Sequence, residues 1–137
     1  MKRIILIIAA ALTRLISFPA SAQDDGYEVF IPISKYFALG DATKLSAWFA
    51  DNLEICVLSS SGDSSKSQAR EILKSFFETY TPRSFQITHK ASRSNMKYVL
   101  GLLNAGGEAF LVTIFVNYKD SGYQIQQLKI ERQTAIF

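Results

Sequence analysis

The sequence predicts an α+β fold in which three N-terminal helices pack on a curved, mainly antiparallel sheet. Three observations carry that expectation. Ala69, Ile72, Leu73, Phe76, Phe77 and Tyr80 recur at the i, i+3, i+4, i+7 spacing of a helix with one buried stripe. After Pro82 the period changes, and apolar runs of strand length alternate with short polar turns that only antiparallel neighbours can use. In the last run Tyr123 and Ile125 alternate, but the next apolar residues are Leu128 and Ile130, so the phase slips by one at Gln126-Gln127. A β-bulge absorbs such a slip with one extra residue and bends the strand.

Taken in order, Pro32 to Leu39 reads as a short helix, with proline in its first turn and Gly40 placed to end it. Asp41 caps a second helix, in which Leu45, Trp48 and Phe49 share a face and which Asp51-Asn52 breaks. Leu53 to Leu58 is the first strand, and Ser59 to Asp63 is expected to be a loop. Ser65 and Gln68 form the signature of a capping box ahead of the amphipathic third helix, which Thr81-Pro82 stops. Four strands follow: Phe85 to Ala91, Met96 to Leu103, Glu108 to Tyr118 and Tyr123 to Arg132.

Ahead of these elements lies a segment with a different purpose. Lys2 and Arg3 precede a nine-residue apolar run, Ile4 to Leu12, and Ala20-Ser21-Ala22 offers the small residues a signal peptidase reads. Residues 1–22 are therefore expected to be a signal peptide, cleaved after Ala22, and residues 23–137 a single exported domain, periplasmic or extracellular. A membrane span needs about 20 apolar residues, and Arg14 interrupts this stretch too early. Three of the 15 Lys and Arg residues fall before the cleavage point and no acid does, so the domain itself carries as many bases as its 12 acids. A nucleic-acid partner then loses its electrostatic basis. The single cysteine, Cys56, cannot form an internal disulfide and is expected to be a buried, inert thiol.

The order of elements resembles the nuclear transport factor 2-like, cystatin-like cone, an architecture shared with scytalone dehydratase and ketosteroid isomerase. The segments "GDATKLSAWFADNLEICV", "SKSQAREILKSFFETY", "SFQITHKAS" and "YQIQQLKIER" are more specific. They resemble a secreted family of unknown function built on that fold. The resemblance implies a signal followed by one domain, and it transfers no catalytic residue because that family has no established activity. The family pattern has glycine after "HK", where Ala91 stands here, and an arginine where Leu111 stands, which makes this sheet surface more apolar.

Candidate chemistry is sparse. One histidine and one cysteine cannot supply a transition-metal site without gathered carboxylates, and the acids are scattered, so neither metal nor cofactor is expected. By analogy with pockets in this architecture, the ligand-binding candidates are His89, Tyr36, Tyr80 and Tyr98. Read with period two, His89 shares a strand face with Phe85 and Ile87, which makes it a buried histidine facing the third helix. The function expected is a non-catalytic binding or interaction module for a small apolar ligand, a peptide or an envelope protein. The alternative is a pocket enzyme of the isomerase or dehydratase type using His89.

The central strands are apolar on both faces. With Tyr98, Leu100, Leu102, Phe110, Val112 and Ile114 turned to the helices, Val99, Leu103, Leu111 and Phe115 fall on the other side. An antiparallel sheet with one wet face alternates apolar and polar residues, so these four are expected to line a two-fold homodimer interface.

Overall fold

The computed structural model describes residues 27–120 and 122–133. The signal segment, Asp24-Asp25 and residues 134–137 lie outside the described residues. Among the described residues, three helices and six strands run in the order α1 (Phe30–Leu39), α2 (Ala42–Ser46), β1 (Phe49–Val57), β2 (Ser60–Ser65), α3 (Lys66–Thr79), β3 (Pro82–Arg93), β4 (Met96–Ala105), β5 (Glu108–Lys119) and β6 (Gly122–Arg132). The strands form one sheet, β2-β1-β6-β5-β4-β3. Every neighbouring pair is antiparallel except β1 and β6, which run parallel. The helices are not all N-terminal to the sheet, as the sequence reading had them. The β1–β2 hairpin is inserted between α2 and α3, because β1 must reach the β6 edge before the chain crosses back as α3.

Helix α1 opens two residues before Pro32, which sits in the first turn where a missing N–H leaves no helical bond unmade. Gly40 ends it in the left-handed region at φ 70°, and its N–H donates to the Phe37 carbonyl. Asp41 caps α2, accepting from the Lys44 N–H at 3.0 Å. Helix α2 stops at Ser46 and does not continue through Phe49 as expected. A helix this short gains few backbone bonds, and the sheet captures the next residues. The Ile125 N–H donates to the Trp48 carbonyl, and Phe49 pairs with Ile125.

The expected loop at 59–63 is instead a tight turn at Leu58-Ser59 followed by strand β2. Its serines and glycine hide this from any apolar pattern, since the strand is held by its backbone ladder to β1 at an exposed edge. Helix α3 is as expected. The Ser65 hydroxyl accepts from the Gln68 N–H at 3.2 Å, and the Gln68 side chain accepts from the Ser65 N–H at 3.4 Å.

The helices cover one face of the sheet, and the core lies between them. Phe37 stacks on Phe85 at 5.0 Å and meets Phe77 edge-on at 5.9 Å, while Phe76 contacts Phe110 edge-on at 5.1 Å. Leu45, Leu73, Ile114, Ile125, Leu128 and Ile130 fill the remainder, all fully buried. The bulge expected in β6 is present. Phe115 pairs with Gln127 and Val116 with Ile125, leaving Gln126 as the extra residue that returns Leu128 and Ile130 to the core.

The faces of β4 are the reverse of those expected. Val99 and Leu103 are fully buried against the helices, whereas Tyr98, Leu100 and Leu102 are half-buried on the outer face. The faces of β5 are as expected, with Phe110, Val112 and Ile114 inside and Leu111 and Phe115 outside. Cross-strand partners share a face, and the register pairs Leu102 with Leu111 and Leu103 with Phe110. Even-numbered residues of β4 therefore lie beside odd-numbered residues of β5. An apolar run on both faces gives no internal cue to its phase, and only the hairpin register supplies one.

Candidate functional site

The outer sheet face carries an apolar patch at its centre. Leu102 stands beside Leu111, Leu100 beside Thr113 and Tyr98 beside Phe115. Tyr98 and Phe115 stack with ring centroids 5.0 Å apart and planes within 12° of parallel. On the β6 and β1 side the same face turns polar, with Gln127 donating to Glu54 at 3.1 Å and Lys129 pairing with Glu131. Where β3 and β4 turn, a depression of about 440 Å³ opens beside Arg93, Met96, Tyr98 and Phe115.

His89 belongs to this outer face. It is exposed, not buried facing the third helix as its alternation with Phe85 and Ile87 suggested. Those two residues do pack against the core. The strand then bulges: Ile87 pairs with Gly101 and His89 with Leu100, so Thr88 is inserted and the phase reverses before His89. The Thr88 hydroxyl donates to the Leu100 carbonyl at 3.2 Å. With that proton committed, the His89 Nδ1–H is the donor in its 3.2 Å contact with Thr88 Oγ1. A β-branched residue and an imidazole in sequence gave no sign of the bulge.

The three candidate tyrosines are not gathered around His89. Tyr98 shares its face and sits diagonally across from it, because Ala91 pairs with Tyr98 and His89 with Leu100. Tyr36 lies on α1 with the Lys44 ammonium 5.8 Å above its ring. Tyr80, at the end of α3, packs against Phe76 and Phe110 and accepts from Arg132 Nη2 at 2.7 Å. Arg132 also donates through Nε to Glu108 at 2.9 Å, and this bonded carboxylate raises the guanidinium still further above its ordinary value. Cys56 is half-buried, against the expectation of full burial, on the outer face between Ser61 of β2 and Lys129 of β6. Among the described residues no three His, Cys, Asp or Glu side chains gather as metal ligands would. No described helix is long and apolar enough to cross a membrane.

The inner face holds one residue that the sequence reading missed. Lys97 occupies an inward position of β4, opposite Ser92 and Val116, and is only 9% exposed. Its ammonium lies 5.2 Å from the Tyr27 ring and 5.9 Å from that of Tyr123. Lys90, also on the inner side, places its ammonium 5.0 Å from the same Tyr27 ring. The signal in sequence was a lysine at the phase of Val99 and Leu103, visible only once the phase of β4 is known.

This architecture, three helices over the inner face of a bent six-stranded sheet, is that of the nuclear transport factor 2-like, cystatin-like α+β domains. Residues 30–131 match the family described as a domain of unknown function (DUF4783), and the chain belongs to that family. A DUF4783 family protein from Bacteroides ovatus superposes with a TM-score of 0.75 at 23% identity, covering 80% of this chain and 100% of that one. A domain of unknown function with a cystatin-like fold from Nostoc punctiforme gives 0.66 at 13% identity, covering 84% of this chain and 80% of that one. A putative dehydratase from the NTF2-like family of Streptomyces avermitilis gives 0.61 at 11% identity, covering 85% and 99%. No curated protein matches the chain.

Proposed function

We propose that the protein is an exported, non-catalytic binding module that self-associates through the outer face of its sheet. The observation that carries this reading is the contiguous patch of Tyr98, Leu100, Leu102, Leu111 and Phe115, half-buried on a face that no described helix covers. Fully burying an apolar side chain of this size is worth roughly 1.5–3 kcal/mol, so joining two such patches favours a two-fold dimer. Val99 and Leu103, fully buried in the core, have no part in that interface, and Tyr98, Leu100 and Leu102 take their place. The aromatic packing between sheet and helices also supports a binding role over pocket chemistry. Among the described residues every buried side-chain nitrogen and oxygen is satisfied, and His89 faces away from that interior.

Sedimentation equilibrium at micromolar concentration tests the association. The wild-type chain is expected as a dimer, and Leu111→Lys as a folded monomer with an unchanged circular dichroism spectrum. A wild-type chain that sediments only as a monomer overturns the dimer. For export, intact-mass measurement of the secreted protein is expected to show Gln23, or its pyroglutamate form, at the terminus. Recovery of the full 137-residue mass alone overturns the cleavage.

A further inference from the structure

The geometry points to a binding site for an anionic amphiphile, a carboxylate on an apolar chain, on the inner side of the sheet where β3 and β4 leave the core. It names a ligand class for the binding role proposed above but does not depend on the dimer, which uses the opposite face.

Lys97 is the first observation. A lysine held more than nine-tenths buried normally has a carboxylate or several hydrogen bonds to compensate its desolvation. Here, among the described residues, neither Lys97 nor Lys90 takes part in an ion pair and neither ammonium makes a hydrogen bond. Their polar contacts are the faces of aromatic rings, with both ammonium groups within about 5 Å of the Tyr27 centroid. Ring quadrupoles hold a cation without neutralising it. The two ammonium groups therefore share one aromatic ring with no carboxylate beside them among the described residues, and the Lys97 ammonium still reaches solvent, because no buried side-chain nitrogen lacks a partner.

The second observation is what adjoins the pair. An open groove of about 430 Å³ runs between α1 and β3, lined by Tyr27, Phe30, Ile31, Ser34, Ile87 and Lys90. Four of those six are apolar or aromatic, and Ile31 is 69% exposed, the most exposed large apolar side chain among the described residues. Lys90 belongs to both features. It lines the groove and shares the Tyr27 ring with Lys97. A ligand that satisfies both has its charge at the lysines and its apolar body along Ile31 and Ile87. The charge sign excludes a cation, and the apolar lining disfavours a small, fully hydrated anion.

The test uses decanoate as the probe, with the chain from Gln23 onward, by isothermal titration calorimetry. Saturable binding is expected for decanoate. Acetate, which lacks the chain and its apolar burial, and decanol, which lacks the charge and its charge-assisted contact, are each expected to bind at least about ten-fold more weakly. Lys97→Met retains the apolar stem and the fold, checked by urea midpoint, and is expected to weaken decanoate about ten-fold or more. Lys90→Gln is expected to do the same without touching the core. Decanoate that fails to saturate, or that binds equally well to both lysine variants, overturns the site, as does decanol binding as tightly as decanoate. Sedimentation of the same samples reads the dimer separately, so each proposal can fail alone.

Discussion

The ring of Phe85 occupies the space in which a side chain at Gly101 would stand: a Cβ added there would come within 2.6 Å of Phe85 Cε1. Glycine in mid-strand weakens a sheet unless something needs the room. Here β4 gives up one side chain so that Phe85 can lie across it and stack on Phe37. Gly101→Ala is therefore expected to destabilise the protein by about 1–3 kcal/mol, the usual cost of overpacking a core, although alanine itself favours the strand backbone. Urea denaturation checks it. In a Phe85→Leu background the same substitution is expected to cost less, since contacting residues are not additive. Equal costs in the two backgrounds would show that the ring is not the obstacle.

The reversed phase of β4 makes a sharp comparison between neighbours. Leu103→Ala removes a fully buried side chain and is expected to cost about 2–5 kcal/mol. Leu102→Ala trims the outer face and is expected to cost under about 1 kcal/mol at concentrations where the chain is monomeric. Thermal unfolding of both variants at matched low concentration checks the order. Had Leu102 been the core residue, as the sequence alternation allowed, the ranking would invert.

Much of the fold was legible because it is written in local chemistry. The α3 stripe, the Ser65–Gln68 box, Gly40 at a helix end and the phase slip at Gln126 each act within a few residues of where they are read. What was not legible depends on partners distant in sequence. Strand β2 has no apolar pattern and exists through its ladder to β1. Phe49 leaves its helix because Ile125, far along the chain, claims it. The same limit applied to the candidate site. An apolar outer face was expected, and Leu111 and Phe115 lie on it, but Val99 and Leu103 had been placed there and Tyr98 on the helix side, because the phase of β4 and the bulge before His89 are tertiary facts. Lys97 was overlooked for the same reason.

His89 offers a test of that bulge. Its side chain is exposed, and among the described residues its only side-chain hydrogen-bond contact is with the adjacent Thr88. His89→Ala is expected to move the unfolding free energy by no more than about 0.5 kcal/mol, as for other surface positions. A loss of several times that in urea titration would place the imidazole in the core and remove the bulge.

Deletion of Gln126 is the most severe change expected from a single exposed-face residue. Strand β6 must put Ile125, Leu128 and Ile130 on one face, and all three are fully buried. Between Ile125 and Leu128 stand two residues where a regular strand allows one, and the pairing absorbs the excess by leaving Gln126 without a partner. Without it, a regular ladder from Ile125 would still keep the shortened strand in phase, with the former Leu128 two positions on. The cost lies elsewhere. The bulge supplies the bend of β6 and sets its offset against β1: Ile125 pairs with Phe49, and Gln127 and Leu128 pair with Glu54 and Ile55. Against β5 the shortened strand can keep its partners, since Phe115–Gln127 then follows Val116–Ile125 directly. Straightening the strand to do so draws every residue after 126 one step toward the 125 end, so either the pairs with Glu54 and Ile55 slip or the Phe49–Ile125 contact breaks. A one-residue slip against β1 turns a buried face outward. Either outcome exposes several side chains worth roughly 1.5–3 kcal/mol each, comparable with the whole stability of a domain this size. The deletion variant is expected to lose cooperative thermal unfolding, whereas Gln126→Ser, which keeps the extra residue, is expected to melt within a few degrees of wild type. A deletion variant that melts as cooperatively as wild type would mean that the bulge is dispensable and that the sheet takes its curvature from another source.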